Sequence, residues 1–183
     1  LREMQKEISQ ALQVLKDGGL ILYPTDTIWG IGCDATNENA VAKVFVLKQR
    51  NESKSLISLV KDKKQLITLT KQVPKEAERN QPTTIIYQNI SGLARNVIAN
   101  DGTAAIRIVQ DNFCKQLIQN FGKPIISTSA NISGEKTPKQ FSEISQEIKN
   151  NVDYIVNLRQ NEIMTNPSEI LFVNEDGSIK KIR

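Results

Sequence analysis

This sequence predicts an α/β fold, with helices flanking a twisted sheet of mixed parallel and antiparallel strands. Three observations carry that reading. Helix-period stretches alternate with short apolar runs from Met4 to Ile126, as in strands joined by crossover helices. Leu20 to Leu22 are apolar without alternation, as in a strand buried on both faces. Asp176-Gly177 divides the last two apolar runs and reads as a hairpin, which adds antiparallel pairing. With 183 residues, 39% of them hydrophobic, and no internal repeat or low-complexity tract, residues 1–183 read as one domain.

In chain order, Met4, Ile8, Leu12 and Leu15 share one helical face, and Gly18-Gly19 stops that helix. A strand follows at Leu20 to Tyr23, and Pro24 should end its ladder because it has no N–H to donate. Gly30 and Gly32 allow a turn or a close backbone approach. Asn37 can cap a helix from Glu38 to Gln49, with Val41, Val44 and Phe45 inward. Lys48 and Arg50 lie at its C-terminal end, where the helix dipole favours cations.

Ser55 to Val60 reads as a strand, Asp62 as the cap of a short helix carrying Leu66, Ile67 and Leu69, and Pro74 to Asn80 as another short helix. Thr83 to Tyr87 is a strand rich in β-branched residues, and Gly92 to Gly102 is irregular. Thr103 to Val109 is a strand, and Asp111 caps a helix with Phe113, Leu117, Ile118 and Phe121 on one stripe, ended by Gly122. Pro124 to Ser127 is a short strand that runs into Ser127-Thr128-Ser129-Ala130-Asn131. Phe141 to Lys149 is a helix, and Tyr154 to Val156, Glu169 to Val173 and Ser178 to Ile182 are strands.

The composition removes several kinds of chemistry. There is no histidine, so Ser-His-Asp and Cys-His machinery and His-bearing zinc sites are excluded. Cys33 and Cys114 are too few for a structural metal site and read as free buried thiols, which suits a reducing, cytoplasmic location. No apolar run approaches about 18 residues, and no signal-peptide pattern opens the chain, so a membrane or export role is not expected. The net charge of +4 points weakly to an anionic partner such as a nucleotide or RNA. Aromatic residues make up 5% of the chain, too few for an RNA surface of stacked rings. Lys61, Lys63, Lys64 and Lys71 read as a solvated face, with RNA contact as the lesser reading.

Chemistry must then rest on Lys, Arg, hydroxyls, amides, carboxylates or a bound ion. Thr25, Asp26 and Thr27 put three oxygen-bearing side chains where the first strand leaves the core, and ligands of α/β sheets gather at such strand ends. Ser127 to Asn131 sets hydroxyls and an amide after an apolar strand, where backbone N–H groups and hydroxyls can meet phosphate oxygens. An ordinary Ser/Thr turn explains that segment more simply from its residues alone. Arg107 lies within an apolar strand, and a buried guanidinium needs a carboxylate, from the protein or from a ligand. Neither Gly-x-x-x-x-Gly-Lys-Ser/Thr nor Gly-x-Gly-x-x-Gly occurs, so the two common nucleotide-binding loops are absent.

Tyr23-Pro-Thr-Asp-Thr-Ile-Trp-Gly-Ile-Gly-Cys-Asp-Ala35, Lys48-x-Arg50, and Ser129-Ala130-Asn131 with Gly134 resemble the YrdC-like family, the threonylcarbamoyl-AMP synthases of tRNA modification. Lys-x-Arg and Ser-x-Asn lie about 80 residues apart, and the paired signature is far more specific than either half. The resemblance spans essentially the whole chain and implies a YrdC/RibB-like fold of the short, single-domain type, without the C-terminal domain of longer members.

It also implies an ATP-dependent nucleotidyltransferase. L-threonine and bicarbonate give N-carboxy-threonine, whose carboxylate attacks the α-phosphate of ATP. Pyrophosphate leaves, and threonylcarbamoyl-AMP passes to a transferase that modifies tRNA. By matching motif positions, Lys48 and Arg50 would hold the ATP phosphates and stabilise the transition state. Ser129 and Asn131 would complete that cradle, with Ser127 or Thr128 beside them. Thr84 falls at a motif position that contacts ATP, and Arg183 aligns with an arginine near the nucleotide. Arg107 would meet the threonine carboxylate, and Thr25 or Thr27 and Ser168 would line the threonine pocket. Magnesium would accompany ATP, held mostly by the phosphates, since no dedicated carboxylate cage is visible in the sequence.

The chain departs from the family pattern at several loops. Arg79-Asn80-Gln81-Pro82-Thr83-Thr84 replaces Trp-Pro-Gly-Pro-x-Thr, Arg107-Ile108-Val109 replaces Arg-x-Pro, and Pro167-Ser168-Glu169 replaces Pro-Ser-Thr. Trp29 stands where Tyr or Phe is typical, and Leu59 where some members carry histidine. Three other readings stand beside the synthase: a double-stranded RNA or rRNA-binding module, a diverged nucleotide-binding paralogue without a threonyl product, and a hydrogenase-maturation carbamoyl-adenylating domain.

Overall fold

Periodicity and caps set the helices much as expected. The computed structural model describes residues 1–50 and 56–183. Helix α1 (Arg2–Lys16) buries Ile8, Ala11 and Leu15. Strand β1 (Ile21–Pro24) turns back into β2 (Trp29–Gly32). Helix α2 (Glu38–Lys48) starts at Asn37, whose side chain accepts from the Ala40 N–H, and ends at Gln49 in a left-handed conformation. Strand β3 (Ile57–Val60) and helix α3 (Lys63–Leu66) follow, the latter capped by Asp62 as predicted. Strands β4 (Thr83–Tyr87) and β5 (Ala104–Ile108) precede α4 (Asn112–Phe121), which Asp111 caps and Gly122 ends. Strand β6 (Ile125–Ser129), helix α5 (Gln146–Asn150), β7 (Tyr154–Ile155), β8 (Glu169–Val173) and β9 (Ile179–Lys181) complete the chain.

The strands form one mixed sheet in the order β7-β1-β2-β6-β3-β5-β4-β8-β9. β3 and β5 run parallel, as do β4 and β8, whereas β1–β2, β2–β6, β3–β6, β4–β5 and β8–β9 are antiparallel. One face carries Leu22, Ile31, Val60, Ile85, Ile106 and Ile126 against α2. On the other face, Leu59, Ile125, Ile21 and Tyr23 pack with Phe113, Leu117 and Ile118 of α4 and with α1. Full burial of such a side chain contributes about 1.5–3 kcal/mol. The helices α1 and α4 cover only one end of that second face. The other end stays open.

Several expectations change. Pro24 is the last paired residue of β1, opposite Trp29, because a terminal position asks no N–H of it. Gly30 and Gly32 lie in a strand rather than a turn, and what approaches them closely is the protein itself rather than the ligand their freedom suggested. A Cβ on Gly32 would sit 2.5 Å from Cε1 of Tyr23 and 2.7 Å from the Ile126 carbonyl oxygen. The predicted Phe141–Lys149 helix is split into a 3-10 turn (Phe141–Glu143) and α5, because Ser145 caps a new start by accepting from the Ile148 N–H. The segment after Pro74 is also a single 3-10 turn. Strand β6 runs two residues further than predicted, through Ser129. Ser55, the predicted start of β3, lies outside the described residues.

Candidate active site

Strand register gathers the site. Ile57 pairs with Ala105 and Ser127, Ala105 with Ile86, and Arg107 with Thr84, so these side chains share the open end of the second face. They line a cleft of about 460 Å³ together with Thr27, Ser129, Ser168 and Arg183, within the range of roughly 300–1,000 Å³ usual for small-molecule sites. Its floor is apolar, from Ile57, Ile86, Ala105 and Ile170, and its two ends are polar. A larger groove of about 590 Å³ lies between α2 and α5. Thr27, Thr84, Arg107, Ser127, Ser129, Ser168 and Arg183 line the cleft and not this groove.

At one end sits Arg107, only 2% exposed. Its Nη2 donates to Asp26 Oδ1 at 3.0 Å and to Thr27 Oγ1 at 3.3 Å, and its Nη1 donates to Thr84 Oγ1 at 3.4 Å. The carboxylate demanded by a cation within a strand is therefore supplied by Asp26. The other Asp26 oxygen accepts from the Gln110 N–H. Arg107 Nε is buried and has no partner among the described residues. Thr84 and Ser168 share a hydroxyl–hydroxyl hydrogen bond of 2.8 Å, and Arg183 donates to the Ser168 carbonyl at 2.9 Å.

Thr25 and Thr27 part company here. Thr25 Oγ1 donates to the Ile28 carbonyl and accepts from the N–H groups of Thr27 and Ile28, so it builds the turn. Thr27 faces the cleft. Thr84 stands beside Arg107 and Ser168, at the opposite end from Lys48.

The other end is built by β6, with Lys48 of α2 bonded to its Ser129. Lys48 is 1% exposed, and its Nζ donates to the carbonyl of Ser129 and to its Oγ, the latter at 3.2 Å. Burial first, and then the Arg50 charge, pull the Lys48 ammonium down to about 8. Arg50 Nη1 and Asn131 Oδ1 are buried without partners among the described residues. Asn131 Nδ2 is committed to the carbonyls of Ile132 and Glu135. Ser127, Thr128 and Ser129 belong to β6, whose backbone pairs with β2 and β3, so the segment offers hydroxyls where free backbone N–H groups were expected. Ser127 Oγ occupies space that a side chain at residue 30 would fill, since a Cβ on Gly30 would lie 2.8 Å from it.

Two contributors stand outside the expected site residues. In the sequence Asp26 stands with Thr25 and Thr27 at the strand end, and its pairing with Arg107 follows from the need of a strand-embedded arginine for a carboxylate. Arg159 gave no such signal. It holds a left-handed backbone at φ 56, donates to the Thr25 carbonyl at 2.8 Å, and pairs with Asp111 and Glu162. Burial, and then the Asp26 charge among other groups, hold the Asp111 carboxyl above its usual range. Asp26 and Arg159 together tie the Thr25–Thr27 turn to the junction between β5 and α4.

Among the described residues no group of three or more His, Cys, Asp or Glu could hold a metal ion. No helix there is long and apolar enough to cross a membrane. Leu59 is fully buried and packs with Ile125 and α4. Lys63, Lys64 and Lys71 are exposed.

Known proteins resemble this chain in sequence and in fold. A family model for Sua5, YciO and YrdC, described as telomere recombination, matches residues 13–183. A threonylcarbamoyl-AMP synthase of Pseudoalteromonas translucida is 31% identical over 160 residues, covering 83% of this chain and 86% of its own. One of Psychromonas ingrahamii is 31% identical over 155 residues, 80% of this chain and 81% of its own. The structure of P. abyssi Sua5 complexed with L-threonine superposes with a TM-score of 0.82 at 26% identity, covering 96% of this chain. This chain spans just over half of that one, 53%. E. coli YciO, 22% identical with a TM-score of 0.84 over 98% of this chain and 89% of its own, shares the fold.

Proposed function

The chain belongs to the Sua5/YciO/YrdC family, and on that premise we propose that it makes threonylcarbamoyl-AMP from L-threonine, bicarbonate and ATP, releasing pyrophosphate. The carrying observation is that one cleft runs from a donor-rich end around Arg107 to Ser129, whose carbonyl and hydroxyl hold the Lys48 ammonium. A small amino acid suits the Arg107 end and a polyphosphate the Ser129 end.

In this reading L-threonine lies at the Arg107 end, with its carboxylate toward the free Nε–H and its side chain near Thr27 and the apolar floor. Its amine adds to carbon dioxide drawn from bicarbonate and loses a proton, giving a carbamate. A carbamate oxygen attacks the α-phosphorus of ATP. The bond from that phosphorus to the bridging oxygen breaks, and pyrophosphate carries the electron pair away. Charge then grows on the phosphoryl oxygens, and in this reading Lys48 and Arg50 stabilise it, helped by Ser127, Ser129 and Asn131. Such a nucleotidyl transfer needs fixed cations more than a proton shuttle, which suits a chain without histidine. Magnesium enters with the ATP phosphates as part of the substrate, since the cleft offers hydroxyls and cations rather than a carboxylate cage. The product would pass to a transferase acting on tRNA.

Pyrophosphate release from ATP and magnesium tests this, with L-threonine and bicarbonate omitted in turn. Release that needs both is the expected result. Release with neither, or none despite ATP binding, would overturn the reading.

A further inference from the structure

We propose that Thr84 is a positioning residue which, held by Arg107, turns the Ser168 hydroxyl into a hydrogen-bond donor for the carboxylate of the amino-acid substrate. This deepens the synthase reading and rests on it.

Hydrogen counting leads there. A guanidinium has only N–H donors and no acceptor. Thr84 Oγ1 stands 3.4 Å from Arg107 Nη1 and must accept from it, because no hydroxyl turns its hydrogen toward a cation. Thr84 must then send its own hydrogen elsewhere, and its other side-chain partner is Ser168 Oγ at 2.8 Å. The direction of that bond is therefore fixed, with Thr84 donating and Ser168 accepting. Ser168 Oγ has no other protein partner among the described residues, yet Ser168 is only 4% exposed and lines the cleft. Its hydrogen is left for a ligand.

The same logic governs the neighbouring hydroxyl. Thr27 Oγ1 accepts from Arg107 Nη2. It also lies 3.2 Å from Thr25 Oγ1, whose own hydrogen goes to the Ile28 carbonyl, so the Thr27 hydrogen is committed to Thr25. The donors left for a ligand at this end are the Ser168 hydroxyl and the buried, unpartnered Nε of Arg107. A carboxylate accepts from both and brings no hydrogen of its own, whereas an amide or a hydroxyl carries donors beside its acceptor oxygen. Losing one such bond lowers affinity by up to about tenfold.

Steady-state pyrophosphate release separates this role from a nucleotide contact. Thr84→Val keeps the shape of residue 84 and removes its hydroxyl. It is expected to raise KM for L-threonine about tenfold while KM for ATP stays put. Thr84→Ser, which keeps the hydroxyl, is expected to restore the wild-type value. In a Ser168→Ala background, Thr84→Val should add nothing, because the relay has already lost its end. A rise in KM for ATP instead, or effects of the two substitutions that simply multiply, would overturn the relay. Calorimetric titration of L-threonine into each variant, with ATP present, keeps the test independent of turnover. No threonine binding by the unmodified protein would overturn the relay and the synthase reading together. Binding without pyrophosphate release would overturn the synthase reading alone, and the ratio of Kd values among the variants would still decide the relay.

Discussion

Asp26 and Arg107 form an ion pair of 3.0 Å whose side chains are 6% and 2% exposed. Asp26 comes from the turn after β1 and Arg107 from β5, so the pair fastens the first motif to the sheet. Asp26→Ala would leave a buried guanidinium without its counter-charge, a loss of about 3–5 kcal/mol. Asp26→Asn, which keeps an acceptor oxygen, should lose less. Urea unfolding of both variants checks the order, and equal stability of wild type and Asp26→Ala would show that the pair does not anchor the turn.

Lys48 is the buried cation at the opposite end of the cleft. Lys48→Met retains most of the buried stem and removes the charge. Pyrophosphate release should drop by about 10²–10³-fold, the scale of a lost oxyanion donor, and the melting temperature should hold. Turnover near the wild-type rate would remove Lys48 from the mechanism.

The pH dependence follows from the same ammonium, brought down to about 8 by burial and by Arg50. Between about 8 and the ordinary value of 10.5, the unfolded chain keeps a proton that the folded one has lost. Folding stability attributable to Lys48 therefore rises as pH climbs through that window. Phosphate binding goes the other way, because it needs the proton. The expected result is an ATP KM that rises from about pH 7.5 to about 9.5, while the urea midpoint gains on that of Lys48→Met. A flat ATP KM in that range would contradict a lowered Lys48.

The two strand glycines should behave differently. A Cβ on Gly32 meets the Tyr23 ring and the Ile126 carbonyl at 2.5 and 2.7 Å, and neither can step aside. Gly32→Ala should therefore cost about 1–3 kcal/mol of stability. A Cβ on Gly30 meets the Ser127 hydroxyl at 2.8 Å, which can rotate. Gly30→Ala should keep the melting temperature and change the cleft, read as a higher KM for ATP. Similar melting losses in both would show that the Ser127 hydroxyl is as rigidly held as the Tyr23 ring.

Much of this architecture was legible in the sequence. Caps at Asn37, Asp62 and Asp111 and the stop at Gly122 carry local chemistry, so α2, α3 and α4 began or ended where read. The strand Trp29–Gly32 was hidden because its two glycines look like turn residues. Only the Tyr23 ring, folded over the missing side chain of Gly32, shows why they sit in a strand. Of the paired motifs, Ser129 lines the cleft; the other residues there came from single motif positions, and strand register then divided them. Thr25 went into the turn, Thr27 went to the cleft, and Thr84 went to the end away from Lys48. None of this can be read from one dimension, since it depends on which strands become neighbours. Arg159 was invisible for a related reason, because a left-handed arginine is stabilised by contacts far away in the chain.

The half-covered face of the sheet bears on how this protein can change over evolutionary time. Cleft residues and core residues are interleaved along the same strands: Arg107 follows Ile106, Thr84 precedes Ile85, and Ser127 follows Ile126. Inserting or deleting one residue within β4, β5 or β6 would exchange the two sets, driving cations inward and isoleucines into the cleft. Changes of length are therefore best absorbed by the connections, such as the segment from Asn157 to Pro167. New preferences for substrate must come from substitutions on the outward positions alone.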